Sequence, residues 1–128
     1  MATWPVVTGD IVTSTIWNGL PAFEVASDKT TDYTAASGDQ YQQLIPMNSG
    51  SAIAFKIPTN ATYAFPVGTV ITVLNKGAGT CTISAVTSGT TTVLSGGAVA
   101  ASPTLAQYKS AACIKTATDT WYIVGAIG

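Results

Sequence analysis

The chain has 128 residues, enough for one domain with a sizeable core, and only 9% of them are charged, against about 25% in ordinary domains. It contains no histidine, and because all five basic residues are lysines it contains no arginine, which argues against most metal and acid–base sites and against nucleic-acid binding. A hydrophobic content of 47% excludes a disordered chain.

The sequence predicts a soluble chain that needs no cofactor. No stretch approaches the ~20 apolar residues of a membrane helix, and the first residues lack the basic and apolar regions of a secretion signal. Two cysteines are too few for a disulfide scaffold and have no accompanying zinc ligands. We therefore expect Cys81 and Cys113 to be buried free thiols, and we expect no metal.

The low charge raises the question of what covers the surface. Eleven charged side chains of about 100 Å² each cover only about a sixth of the ~6,300 Å² that a folded monomer of this mass exposes. The 21 threonines and 10 serines can hydrate part of the remainder, so a monomer coated with hydroxyls is one interpretation. The sequence favours the other, in which neighbouring subunits cover part of the surface.

Residues 1–24 form a predicted N-terminal arm. Asp10 could cap a short helix over residues 11–18, which Gly19 and Pro21 would end. The arm carries more apolar area than a free terminus should, so it either folds back on the domain or anchors to a partner. Its candidate protein-binding residues are Trp4, Val6, Val7, Ile11, Ile16, Trp17 and Leu20.

Residues 25–128 predict an all-β domain, an antiparallel β-sandwich or barrel, because short β-prone runs alternate with turn residues. The first candidate strand covers residues 40–45. In the second, residues 51–57, Ile53, Phe55 and Ile57 alternate with small or charged residues, which indicates one apolar face. Residues 69–75 are apolar at both alternating sets of positions, which predicts a central strand buried on both sides.

The following segments predict hairpins. The turn 75–79 most simply joins residues 69–75 to a strand at 81–85 as an antiparallel pair. A short strand over 90–94 follows, and strands at 111–117 and 121–127 form a last hairpin about residues 118–120. We expect Trp121 to pack in the core.

No set of residues predicts catalysis. Gly77-Ala-Gly79 is followed by no helix, which favours a turn over a phosphate loop. Serine nucleophiles lack a histidine base, and Asp28, Asp32 and Asp39 lie in a threonine-rich stretch typical of a surface. We therefore expect no enzyme.

Charge is divided unevenly along the chain. Five of the six acids and one of the five lysines lie in the first forty residues, a net −4, and one acid and four lysines follow, a net +3. The two parts could pair within a subunit or between subunits, and scattered solvated charges are the alternative.

Three segments in order resemble a module of tailed-bacteriophage virion proteins: Phe65-Pro-Val-Gly-Thr-Val-Ile-Thr-Val-Leu-Asn75, Gly77-Ala-Gly-Thr-Cys-Thr-Ile83 and Ile114-Lys-Thr-Ala-Thr-Asp-Thr-Trp-Tyr-Ile-Val-Gly125. The resemblance covers about residues 50–128, and the opening residues 9–18 resemble the start of phage structural proteins more weakly. It implies a β-rich, non-enzymatic part of a virus particle, present in multiple copies and often as trimers.

The sequence thus favours a capsid decoration protein that binds and stabilises the phage head. The expected partners are the major capsid protein and further copies of the chain as a homotrimer, with no nucleic acid and no membrane. Its expected location is the capsid surface of the virion, assembled in the bacterial host cytoplasm. The alternative is a receptor-binding or adhesive protein of a tip or fibre, with exposed loops such as residues 60–64 and 87–92 as its contacts.

Overall fold

The computed structural model describes residues 24–95, 98–99 and 102–127 and consists mostly of β-strands in two mixed sheets. The strands are β1 (Glu24–Val25), β2 (Tyr33–Thr34), β3 (Gln42–Met47), β4 (Ile53–Ile57), β5 (Val70–Asn75), β6 (Cys81–Ala85), β7 (Thr92–Ser95), β8 (Ala98–Val99), β9 (Thr104–Leu105), β10 (Ser110–Ala117) and β11 (Thr120–Gly125), with a 3-10 helix at Asp39–Tyr41. The seven-stranded sheet has the order β1-β3-β5-β10-β11-β7-β8, and the four-stranded sheet has the order β2-β4-β6-β9. Among the described residues neither sheet closes into a barrel.

Six strands form three stacked arches. Each arch begins in the seven-stranded sheet and ends in the four-stranded sheet: β1 with β2, β3 with β4, and β5 with β6. Neighbouring arches pair in parallel in both sheets, β1 with β3 and β3 with β5 on one side, β2 with β4 and β4 with β6 on the other. Each arch therefore contributes one strand to each sheet.

The predicted hairpin between residues 69–75 and 81–85 is wrong. β5 pairs with β3 and β10, whereas β6 pairs with β4 and β9 in the other sheet. The antiparallel character expected for the whole domain is likewise only partial, because the arches pair in parallel. A turn rich in glycine permits either a hairpin or an arch, and contacts outside the turn select between them.

Those contacts are made with the preceding arch and with β9. Gly79 N–H donates to the carbonyl of Ser49 in the preceding arch (2.9 Å). The Asn75 side chain donates to the carbonyl of Gly79 in the turn and to that of Leu105 in β9, both at 2.8 Å. A Cβ on Gly77 or Gly79 would stand 2.1 Å from the backbone of Ser49 or Ser51, respectively. The two glycines therefore allow one arch to stack on the other, beyond making a tight turn.

The last predicted hairpin is confirmed. β10 and β11 pair antiparallel around a two-residue turn, with a bulge between Lys115 and Ala117. Asp119 in this turn has a positive φ of 52°, a conformation that aspartate tolerates better than most residues.

The core lies between the two sheets. One apolar cluster takes Ile45, Val73 and Trp121 from the seven-stranded sheet and Phe55 and Ile83 from the four-stranded sheet. Trp121 is 2% exposed, as expected, and meets Phe65 edge to face at 5.7 Å between ring centroids.

β5 has the central position that the sequence predicted, between β3 and β10, but it is not buried on both sides. Ile71, Val73 and Asn75 point inward and are buried, whereas Val70 on the other face is 47% exposed. The sheet therefore has an apolar outward face at this strand.

The predicted helix and the candidate binding residues of the arm, from Trp4 to Leu20, lie outside the described residues. The described part begins at Glu24, the first residue of β1.

Candidate interaction surface

A row of apolar side chains crosses the outward face of the seven-stranded sheet. The register places Val70 of β5 opposite Ile114 of β10, Ile114 opposite Tyr122 of β11, and Tyr122 opposite Leu94 of β7. Directly opposed residues in a sheet point to the same face, so these four side chains are neighbours. Val70 and Tyr122 are 47% and 45% exposed, and the other two are half-buried.

A second row runs beside the first. Thr72 lies opposite Ala112, and Ala112 lies opposite Val124, which is 50% exposed. On the other side of β5, exposed Val25 of β1 pairs with half-buried Leu44 of β3. We call these two rows together the apolar face.

The apolar face carries no charge on its central strands. Strand alternation assigns the outward positions of β3, β5, β7, β10 and β11 from the buried residues between them. They are occupied by Gln42, Leu44, Val70, Thr72, Leu74, Thr92, Leu94, Ser110, Ala112, Ile114, Thr116, Thr120, Tyr122 and Val124, and by Pro46, which is buried. Within these strands the one charged residue, Lys115, points inward.

Asp28 and Asp32 make structural contacts with later segments of the chain. Asp28 accepts hydrogen bonds from the Asn48 amide (2.9 Å) and the Lys76 ammonium (3.0 Å), and these two bonds lower the pKa of Asp28. Asp32 accepts from the Ala54 N–H at 2.9 Å and lies 3.5 Å from the Lys56 ammonium. Two of the acids in the first part of the chain therefore pair with later lysines within one subunit.

Asp39 is buried and also makes structural hydrogen bonds. It accepts the hydroxyl of Tyr33 and the N–H of Ala36, each at 2.7 Å. Burial, together with this hydrogen bond, raises the pKa of Tyr33 above its ordinary value. Asp28, Asp32 and Asp39 thus have separate partners and form no common site in the structure.

The prediction for the cysteines is confirmed. Cys81 in β6 and Cys113 in β10 are both free and buried, one from each sheet. Burial raises the pKa of both thiols, which keeps them in the less reactive protonated form.

A polar cluster at one end of the sheets was missed by the sequence reasoning. Lys115 is 3% exposed, and its ammonium donates to Asn60 Oδ1 and to the carbonyl of Phe65, both at 2.6 Å. Asp119 Oδ1 accepts from the Asn60 N–H at 2.7 Å and from the Thr91 hydroxyl at 3.2 Å. The alternation of buried Ala111 and Cys113 could have placed Lys115 on the inward face, but nothing local identifies Asn60 as its partner.

In the described ranges no three cysteine, aspartate or glutamate side chains are grouped in a way that could hold a metal ion. Within those ranges no helix is long and apolar enough to cross a membrane. Comparisons of the chain with protein-family models, with curated proteins and with solved structures gave no match.

Proposed function

We propose that this protein is a structural component of a tailed-bacteriophage virion, a decoration protein that binds the capsid surface in multiple copies and stabilises the head. The observation that carries the proposal is the apolar face, which is continuous across several strands and uncharged on its central strands. Soluble monomers seldom leave such a surface in water. A surface of this kind supports binding to protein, and its central strands carry no carboxylate or amine.

The occupant that we propose for the apolar face is a second copy of the chain. The four long strands β3, β5, β10 and β11, about 4.8 Å apart and six to eight residues long, give a face of roughly 20 by 20 Å. Its area of roughly 400 Å² is about half of the ~800 Å² that each partner buries in an interface of standard size, so it supplies the centre of such an interface. Because the outward positions of β5, β10 and β11 are uncharged, a second copy meets no like-charge repulsion there. In the proposed homotrimer each copy contacts two neighbours, so the apolar face meets a different surface of the next copy and the ring closes after three contacts.

Contact with the major capsid protein is assigned to the N-terminal arm. Trp4 and Trp17 are the two tryptophans of the arm, a residue type enriched among those that dominate binding energy. Every copy bound to assembled shell and not to its separated subunits stabilises the shell by mass action. The proposed location is therefore the outer surface of the head, with assembly in the bacterial cytoplasm.

The experiment compares purified shells with and without the protein by calorimetry. We expect shells that carry it to rupture at a higher temperature, and the shift should saturate as the added protein fills its sites. The double variant Trp4→Ala, Trp17→Ala should lose attachment, while Val86→Ala, a change at an exposed site of the β domain, should keep it. Equal rupture temperatures with and without bound protein would contradict the proposal.

A second candidate, a receptor-binding tip, is favoured by the loop end of the molecule. Asp119 joins the β10–β11 turn to Asn60 and Thr91, so three loops rich in exposed threonine are held together. Loops positioned by a rigid scaffold are the usual place of recognition sites. Copy number separates the two functions, because hundreds of copies per particle indicate the shell and a handful indicates a tail or fibre.

A further inference from the structure

Lys115 occupies an unusual position for a charged residue. It points into the space between the sheets, where it is 3% exposed and lies opposite Trp121 on β11. Ion pairs within the described ranges join Lys56 to Asp32 and Lys76 to Asp28, and Lys115 belongs to neither. A buried ammonium without a carboxylate partner is costly, which suggests a role for the nitrogen beyond charge.

The nitrogen is held against a side-chain amide. Lys115 Nζ lies 2.6 Å from Asn60 Oδ1 and 2.6 Å from the carbonyl oxygen of Phe65. Because a C=O bond is about 1.23 Å long, the Asn60 carboxamide carbon lies no more than about 3.8 Å from Nζ. That is close to the ~3–3.5 Å at which reacting atoms are poised for attack.

The backbone on both sides of this contact is held in place. Lys115 N–H donates to Thr69 and its carbonyl accepts from Gly68, so this residue is fixed on β10. Asp119 Oδ1 accepts the Asn60 N–H at 2.7 Å, which ties the loop after β4 to the β10–β11 turn. The fold therefore already holds the amine next to the amide, and little further conformational entropy is lost when they react.

We propose that Lys115 and Asn60 form an intramolecular isopeptide bond. The Lys115 ammonium releases one proton to water, Nζ adds to Cγ of Asn60, the Cγ–Nδ2 bond breaks, and a second proton passes from Nζ to the departing nitrogen. The products are a secondary amide joining the two side chains and one molecule of ammonia, which takes up a proton from water as ammonium. A desolvated lysine is a known type of nucleophile toward carbonyl carbon, and no oxidant or cofactor is consumed.

Asp119 is assigned as a positioning residue. It touches the backbone of Asn60 and not the reacting atoms, and its left-handed conformation sets the turn from which it reaches that backbone. Asp119→Asn preserves both the acceptor oxygen and tolerance of this conformation. It should therefore cross-link, whereas Asp119→Ala, which lacks the acceptor, should cross-link more slowly.

The test is the intact mass of the purified, denatured chain. We expect a mass about 17 Da below that of the sequence, the mass of ammonia, and a branched peptide joining residues 60 and 115 after proteolysis. Lys115→Arg and Asn60→Ala should both restore the full mass. Lys76→Arg and Asn48→Ala change a lysine and an asparagine outside the pair and should keep the loss.

Two outcomes would overturn the proposal. One is a full mass for wild-type protein whose tryptophan fluorescence shows that it is folded. The other is the mass loss without a branched peptide, which indicates a cyclic imide at an asparagine. Lys115→Met, an uncharged residue of similar length, provides a second folded reference, and on a denaturing gel it should migrate more slowly than the cross-linked chain.

Discussion

The outward faces of the two sheets differ although both sheets are built from the same arches. On the four-stranded sheet the outward positions of β4, β6 and β9 carry small, hydroxyl-bearing or charged residues, namely Ala54, Lys56, Thr82, Ser84 and Thr104. Lys56 is paired there with Asp32. On the seven-stranded sheet the corresponding positions of β5, β10 and β11 carry no charge and include large apolar residues beside small and hydroxyl-bearing ones, namely Val70, Thr72, Leu74, Ser110, Ala112, Ile114, Thr116, Thr120, Tyr122 and Val124.

This difference shows where the scarce polar coverage is placed. With 9% charged residues the chain has little ionic coverage to distribute, and the four-stranded sheet has the Lys56–Asp32 pair, whereas the outward positions of β5, β10 and β11 carry apolar and hydroxyl-bearing residues but no charge. The inward faces of both sheets contribute to one buried apolar cluster. The seven-stranded sheet is thus the side on which we expect a protein partner, and four predictions test the comparison.

The largest effect is expected for the thiols on the inward faces. Cys81 and Cys113 are buried, and burial raises the pKa of both, so a thiol reagent should reach them only when the fold opens. The reaction should be on the order of 1,000-fold slower in native buffer than in denaturant. Rapid labelling of one cysteine in folded protein would show that this thiol is accessible to the reagent without unfolding, which contradicts its burial.

A large loss of stability is expected for Trp121→Ala. The side chain is 2% exposed and contacts Phe65, so its removal should lower the free energy of unfolding by about 3–5 kcal/mol. Urea denaturation measures the change. Tyr122→Ala, the next residue on the outward face, is the control and should cost far less, and equal losses would contradict the assignment of the two faces.

Self-association should respond to charge on one side only. Val124→Lys places an ammonium on the apolar face and should weaken association about tenfold or more, as measured by sedimentation equilibrium. Val86→Lys is a matched control, since Val86 follows β6 of the other sheet and is 51% exposed, against 50% for Val124. If the two variants weaken association equally, the apolar face is not the interface.

The smallest effect is expected at the exposed contacts of Asp28. Hydrogen bonds from Asn48 and Lys76 lower the pKa of Asp28 in the folded state below its unfolded value. Its contribution to stability is therefore present above about pH 4 and is lost as the pH falls through the folded-state pKa. Asp28→Asn should remove this part of the acid dependence in urea titrations at several pH values, and an unchanged profile would show that the contact contributes nothing.

Much of the local structure could be predicted from the sequence. Alternation of Ile53, Phe55 and Ile57 identified β4 and its buried face, and the same pattern from Cys81 to Ala85 identified β6. The β10–β11 hairpin was also predicted, because its two-residue turn joins strands that are adjacent in the chain. In all three cases the information lies within a few residues.

The pairing of strands could not be predicted in the same way. The turn after Asn75 is compatible with a hairpin, and its stacking on Ser49 and Ser51 is visible only when both arches are in place. The candidate surface has the same origin, since Val70, Ile114 and Tyr122 become neighbours through register between strands that are distant in sequence. The contact of Lys115 with Asn60 joins residues 55 positions apart.

By itself, the sequence determined the mostly β character of the described domain, the positions of most of its strands, the burial of Trp121 and of both cysteines, and a chain poor in charge. These properties follow from composition and from the two-residue repeat of a strand, which are local. Only the tertiary structure decided that consecutive strands cross between sheets, that apolar residues gather on one outward face, and that Lys115 meets an amide. Such contacts depend on which distant backbone groups satisfy one another's hydrogen bonds, and no short segment carries that information.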